Sequence, residues 1–194
     1  MSRAKDLKKR ADSVLEDVFR ALFEEIDTDK LKKEVDELRA STPDYSQSGH
    51  ARVLTRRTAI RCAAAGAVTG LPLGLVAIAT VGVDLAYLMH QQLRLILGIA
   101  TIYGHEPSQR ERFAEAMSCL AYVGGVGAGK QGIAALMIKE RATRMIPFVG
   151  AISGGALNYV SVQAVARSAI RYYESRIDDS LADEIWSDGD RDHA

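Results

Sequence analysis

Residues 62–83 read CAAAGAVTGLPLGLVAIATVGV, a run without a single charged side chain. A helix of about 20 apolar residues is long enough to cross a bilayer, so the length alone permits a membrane span. Pro72 stands near the centre of the run, and a proline inside a helix removes a backbone donor and clashes with the preceding turn. We therefore predict two helices, over residues 51–70 and 73–103, that meet at a tight turn.

Basic residues immediately precede this run. They are Arg52, Arg56, Arg57 and Arg61, and they form a candidate membrane-surface basic cluster of the kind found on the cytoplasmic flank of membrane segments. The run itself is rich in Ala and Gly rather than Leu and Ile, so its drive to insert is modest. Three alternatives stay open for residues 58–103: they span the membrane, lie on it or avoid it.

The charges balance overall but are segregated along the chain. The 194 residues hold 25 Lys+Arg and 25 Asp+Glu, and Arg191 is the only Lys or Arg in the otherwise acidic stretch 178–194. Zero net charge argues against a general nucleic-acid binder, which needs a basic excess to neutralise phosphates. Two cysteines exclude a disulfide framework. The stretch 1–61 lacks the pattern of a secretory signal peptide, so we expect a cytoplasmic protein that would meet lipid at the inner face of the cell membrane.

The N-terminal region, 1–40, forms an amphipathic arm. Apolar residues recur at helical spacing over residues 3–26, and a second helix carrying Leu31, Val35 and Leu38 could be capped by Thr28 or Asp29. We predict four regions: a helical hairpin at 1–40, a linker at 41–50, an apolar helical domain at 51–177 and an acidic tail at 178–194. The arm either packs on the domain or, through residues 3–40, binds a protein partner, a second copy or a membrane surface.

Helical signals continue through the rest of the chain. Gly104 is placed to cap the end of one helix, Ser108 to begin the next, and Pro147 and Gly150 to break the chain before a last helix over residues 154–176. No segment shows sustained period-two alternation. The fold class that we predict is all-α, a compact bundle of Gly/Ala-rich apolar helices.

The motifs that could carry catalysis are weak. Residues 124–130 fit the phosphate loop G-x-x-x-x-G-K, but Gln131 stands where magnesium binding needs Ser or Thr, and a helical pattern precedes the loop instead of a strand. The four histidines lack metal-ligand spacing. We therefore expect no enzyme activity, no catalytic residue, no metal and no cofactor.

Polar residues inside the apolar domain are more informative. Asp84, Arg94, Lys130 and Asn158 each have apolar neighbours, and a buried charge needs a partner. Asp84 and Arg94 lie nearly three helical turns apart, about 15 Å along one helix, so they cannot pair with each other on it. Each must reach another helix, a lipid headgroup or water.

The order of short motifs in residues 60–175 resembles the bacterial EcsC family. The first half carries Leu71-Pro72-Leu73-Gly74, Val83-Asp84-Leu85, Gln92–Ile96 and Tyr103-Gly104, and the second half carries Ile146–Ala151, Gly154–Tyr159, Ala166 and Arg171–Tyr173. A more distant similarity is to the membrane domain beside YcjF-type GTPases. The positions matched to the family pattern are Asp84, Arg94, Tyr103, Gly104, Pro147, Gly150 and Asn158.

The resemblance implies a helical, membrane-associated protein without an assigned catalytic residue. We accordingly expect a non-enzymatic protein that associates peripherally or reversibly with a membrane, or binds apolar or lipid ligands, through its small-residue hydrophobic body. The alternative is a soluble helical scaffold, oligomer or partner-binding module without a membrane role.

Overall fold

The computed structural model describes residues 16–69, 76–106, 111–123 and 149–189. These residues form helices and short connections, without a strand within the ranges given, and the predicted all-α class is confirmed. The helices are α1 (16–24), α2 (Thr28–Ser41), α3 (Gln47–Thr69), α4 (Val76–Ile102), α5 (Glu111–Val123) and α6 (Val149–Gly189).

The uncharged run is divided between two helices. It contributes the end of α3 and the beginning of α4, as the proline predicts, whereas residues 70–75, where the turn was predicted, lie outside the described residues. Within the ranges that the structure describes, no helix combines the length and the apolar character that a membrane crossing requires.

The helix ends correct two expectations about the arm. The residue that caps α2 is Asp27, whose side chain accepts a hydrogen bond from the backbone N–H of Lys30 at 2.9 Å, so the cap predicted at Thr28 or Asp29 was wrong. The predicted linker is helical at both ends, and only residues 42–46 join α2 to α3. That connection is held to α3 by a 2.9 Å hydrogen bond between His50 Nε2 and the Thr42 carbonyl.

Gly104 ends α4 as predicted. Its φ of +89° is the left-handed conformation that glycine adopts without strain. The backbone N–H of His105 donates to the Ala100 carbonyl at 2.9 Å, and the N–H of Gly104 donates to the Thr101 carbonyl at 3.1 Å. This pair of bonds is a Schellman motif, which directs the chain away from the helix axis towards α5.

The last helix is longer than predicted at both ends. It begins at Val149, so Gly150 lies in its first turn and the break expected there was wrong, while Pro147 lies outside the described residues. The helix continues to Gly189. Its length has a simple cause, because neither Pro nor Gly occurs between Ala156 and Asp188 to interrupt it.

The arm and the domain share one hydrophobic core. A single buried cluster includes Leu31, Val35 and Leu38 of α2 together with Leu54 of α3 and Leu93 of α4. These side chains are almost fully buried. The first of the two interpretations of the arm, packing on the domain, therefore describes this structure.

Helices α3 and α6 approach closely along an antiparallel contact. A Cβ at Gly155 would lie 2.9 Å from the carbonyl oxygen of Ala63 and 3.5 Å from the Cβ of Ala67. Further along α6, the side-chain amide of Asn158 donates to the Cys62 carbonyl at 3.1 Å. Small residues thus let the two backbones meet, and Gly155 is the residue on which this approach depends.

Replacing Gly155 with Ala should lower the free energy of unfolding by about 1–2 kcal/mol, because the added methyl overpacks the contact by more than the gain in helix propensity. Urea unfolding measures the change. Gly49→Ala, in the first turn of α3, is the matched control, because the atoms nearest to its Cβ belong to the Tyr45 side chain, the closest at 3.2 Å, and not to the backbone of another helix. Equal effects of the two substitutions would contradict the close approach.

Candidate functional site

A carboxylate on α2 joins three helices. Glu34 accepts hydrogen bonds from Arg94 of α4 and, at 3.2 Å, from Arg61 of α3. Burial raises the pKa of Glu34, but the two guanidinium groups outweigh it and hold that pKa below its usual value. Arg94 therefore reaches another helix, one of the outcomes that the sequence left open.

The family-matched residues make separate contacts. The Tyr103 hydroxyl donates to Glu174 of α6 at 2.9 Å, and burial, assisted by this bond, raises the pKa of Tyr103. Asn158 is 1% exposed, and its Oδ1 has no partner among the described residues. Asp84 lies in α4, but its side chain is not among those described. The structure does not bring Arg94, Tyr103 and Asn158 together at one partner.

A buried polar cluster that the sequence analysis missed lies between α5 and α6. One oxygen of Glu115 accepts from Arg112 and, at 3.0 Å, from the Tyr173 hydroxyl, and the other accepts from Arg176 at 2.8 Å. Burial and the Glu115 charge raise the pKa of Tyr173. A signal was present in the sequence, since Glu115 precedes Cys119 by one helical turn and so shares its apolar face.

The ring of His105 packs on this cluster. Its centroid lies 5.0 Å from that of Tyr173, and its Nε2 is buried without a hydrogen-bond partner in the described part of the chain. Burial lowers the pKa of His105, as do the nearby charges of Arg112 and Arg176, whereas Glu115 opposes them. The histidine is therefore kept neutral at the junction of α4 and α5.

The thiol of Cys119, near this cluster, is not activated as a nucleophile. Burial, with the Glu115 charge, raises the pKa of the Cys119 thiol to about 12, so the thiolate needed of a nucleophile is suppressed. No group of His, Cys, Asp and Glu among the described residues could hold a metal ion. The glycine-lysine motif at residues 124–130 lies outside the described residues.

The predicted basic cluster is exposed and spreads over about half of the circumference of α3. A step of four residues advances a helix by about 40°, so Arg52 and Arg56 lie close together around the helix, as do Arg57 and Arg61, and the exposed Ile60 lies between the two pairs. All four side chains reach solvent. Arg61 is also paired with Glu34, so part of the cluster is already neutralised within the protein.

Large apolar side chains are exposed beside the α3–α6 contact. Ile60 of α3 is 53% exposed, and Val160 of α6 is 59% exposed. Because α3 and α6 run antiparallel and Asn158 binds Cys62, Ile60 and Val160 lie at the same level along the helix pair. A shallow groove of about 380 Å³ continues along α6, lined by Tyr159, Val160, Gln163 and Arg167. We call the exposed side chains of Ile60, Leu157, Tyr159, Val160 and Arg167, with Arg52, Arg56 and Arg57, the α3–α6 face.

Comparison with protein-family models, with curated proteins and with solved structures found no match for this chain. The resemblance to the EcsC family therefore stays a prediction from the sequence. What the structure defines is the class, an all-α protein whose arm and domain share a core.

The Glu115 cluster yields a second stability prediction. Glu115→Gln should cost about 3 kcal/mol, because it leaves the buried Arg112 without its counter-charge. Glu174→Gln is the matched control and should cost less than about 1 kcal/mol, because Glu174 is exposed and accepts one bond from Tyr103. Chemical unfolding measures both losses, and similar losses would show that Glu115 is not the centre of the cluster.

His105 yields a pH prediction. Its pKa is lower in the folded chain than the ordinary value of 6.5, so the unfolded chain takes up a proton first as the pH falls. The free energy of unfolding should therefore decrease once the pH drops below about 6.5 and should be unaffected by this group at higher pH. His105→Gln should flatten that dependence in denaturant titrations.

His90→Gln, within α4, controls for the loss of an imidazole. A pH dependence that is identical in the two variants would contradict the assignment to His105.

Proposed function

We propose that this protein is a non-enzymatic helical protein that associates reversibly with a membrane surface, or binds lipid-like apolar ligands, through the α3–α6 face. The observation that carries the proposal is the exposure of large apolar side chains on two closely packed helices, next to exposed arginines. Several large apolar side chains exposed on one helix pair mark an interaction site more readily than a lone exposed residue does.

The apolar part of the face supplies the drive for burial. Ile60 and Val160 are each more than half exposed, and full burial of such a side chain is worth about 1.5–3 kcal/mol. Ala64 and Ala67 are also exposed on α3, so small residues separate the larger ones. A helix pair of this form can press against the boundary between headgroups and acyl chains while keeping its buried faces intact.

The basic part of the face supplies attraction to anionic lipid. Arg52, Arg56 and Arg57 are exposed on α3, and Arg167 is exposed on α6. Each basic residue near an anionic surface contributes about 1 kcal/mol. The combination therefore favours anionic membranes over neutral ones.

The composition of the α6 groove supports a second candidate function, a binding surface for a protein partner or a second copy. Its lining includes Tyr159 and Arg167, and Tyr and Arg are enriched at protein interfaces. The protein would then be a soluble scaffold or oligomer.

Liposome flotation without detergent separates the two candidates. The protein should float with vesicles of equal phosphatidylcholine and phosphatidylglycerol more than with phosphatidylcholine alone. Arg56→Gln with Arg57→Gln should lower partitioning onto the anionic vesicles about 30-fold, from about 1 kcal/mol for each arginine. Ile60→Ser with Val160→Ser should lower partitioning onto both vesicle types.

Matched controls change the same chemistry elsewhere. Lys30→Gln with Lys33→Gln removes two charges from exposed positions of α2, and Val18→Ser changes an exposed valine of α1. Wild-type protein that stays at the bottom of the gradient would overturn the membrane proposal. Elution of that protein as a dimer, reversed by Val160→Ser, would instead support the second candidate.

A further inference from the structure

Polar contacts at three places hold α2 against the domain within the described residues. Glu34 pairs with Arg61 and Arg94. At the far end of the helix, the Arg39 guanidinium donates to the carbonyls of Thr101 and Ile102, both at 3.0 Å. Lys32 pairs with Glu106 at 2.6 Å. Of these contacts, the one at Glu34 joins α2 to a residue of the basic cluster before the uncharged run.

The apolar side of α2 packs into the shared hydrophobic core. Leu31 is buried at Gly98 of α4, where an added Cβ would lie 2.7 Å from Leu54 and 3.5 Å from Leu31. The helix joins α3 through the short connection at residues 42–46. Helix α2 is thus the part of the arm whose apolar stripe packs directly on α3 and α4.

Another anion can replace the Glu34 carboxylate at its two arginines. The side chain of Arg61 is 45% exposed, so an anion can approach it from solvent, whereas that of Arg94 is 17% exposed. A largely buried arginine must keep an anionic partner, because an unpaired buried charge is strongly destabilising. A lipid phosphate provides oxygens that guanidinium groups bind as well as they bind a carboxylate.

We propose that α2 is an autoinhibitory element whose Glu34 occupies Arg61 and Arg94 until the phosphate of an anionic lipid replaces it. This inference rests on the proposed membrane association and adds its regulation. Exchange of Glu34 for lipid phosphate detaches α2 from α3 and α4, and the stripe of Leu31, Val35 and Leu38 then faces the membrane beside the α3–α6 face. The two interpretations of the arm, packing on the domain and binding a membrane surface, then describe two states of α2.

The test uses the full chain and vesicles of the compositions given above. Glu34→Gln should raise partitioning onto anionic vesicles about fivefold, the equivalent of about one released arginine. Glu37→Gln, an equal loss of charge at an exposed position one turn along α2, should change partitioning less than about twofold. Hydrogen exchange of the amides in Thr28–Ser41 should speed up when wild-type protein binds anionic vesicles and stay unchanged in inorganic phosphate.

The outcomes distinguish this inference from the function on which it rests. Two results would overturn the inference alone, provided that wild-type protein binds anionic vesicles. One is equal partitioning of Glu34→Gln and Glu37→Gln onto those vesicles, and the other is unchanged hydrogen exchange of the α2 amides on binding. Failure of wild type and Glu34→Gln alike to bind overturns both proposals. If Glu34→Gln raised partitioning onto neutral vesicles by the same factor, the gain would come from general exposure of apolar surface. The proposed exchange of Glu34 for lipid phosphate would then be overturned. Release of α2 by inorganic phosphate alone would overturn the requirement for a lipid.

Discussion

The close contact between α3 and α6 is the constraint on which the arrangement of the other helices depends. Its closeness comes from Gly155 against the Ala63 carbonyl, and its register is fixed by the bond from Asn158 to Cys62. Because small residues make this contact, the larger apolar side chains of the same helices, such as Ile60 and Val160, remain at the surface. The small residues therefore account both for the close packing of α3 on α6 and for the large apolar side chains on the α3–α6 face.

The two carboxylate clusters differ in what they can do. Glu115 is enclosed, and its oxygens are bound by Arg112, Tyr173 and Arg176, so an outside anion has little access to its place. Each carboxylate is bound by one largely buried and one half-exposed arginine, but the side chain of Glu34 is 24% exposed, whereas that of Glu115 is 7% exposed. The first cluster stabilises the junction of α5 and α6, whereas the second is placed to exchange partners.

The sequence predicted the features that local chemistry determines. The helix pair around Pro72, the cap at Gly104 and the apolar stripe of α2 follow from backbone geometry and periodicity. It could not predict that Arg94 pairs with Glu34 or that Glu115 binds Tyr173 and Arg176, because those contacts depend on helices that are distant in the chain. The break expected at Gly150 was wrong because a helical glycine costs only about 1 kcal/mol, which is too little on its own to end a helix.

The central claim, membrane binding by the α3–α6 face, is tested most directly by an environment-sensitive fluorophore attached at Val160→Cys. The native Cys62 and Cys119 are buried, so labelling is selective for the new thiol. On addition of phosphatidylglycerol vesicles, the emission should shift to the blue at Val160 and stay constant for the same fluorophore at Val18→Cys. A constant emission at Val160 while the protein floats with the vesicles would contradict the account, because another surface would then contact the lipid.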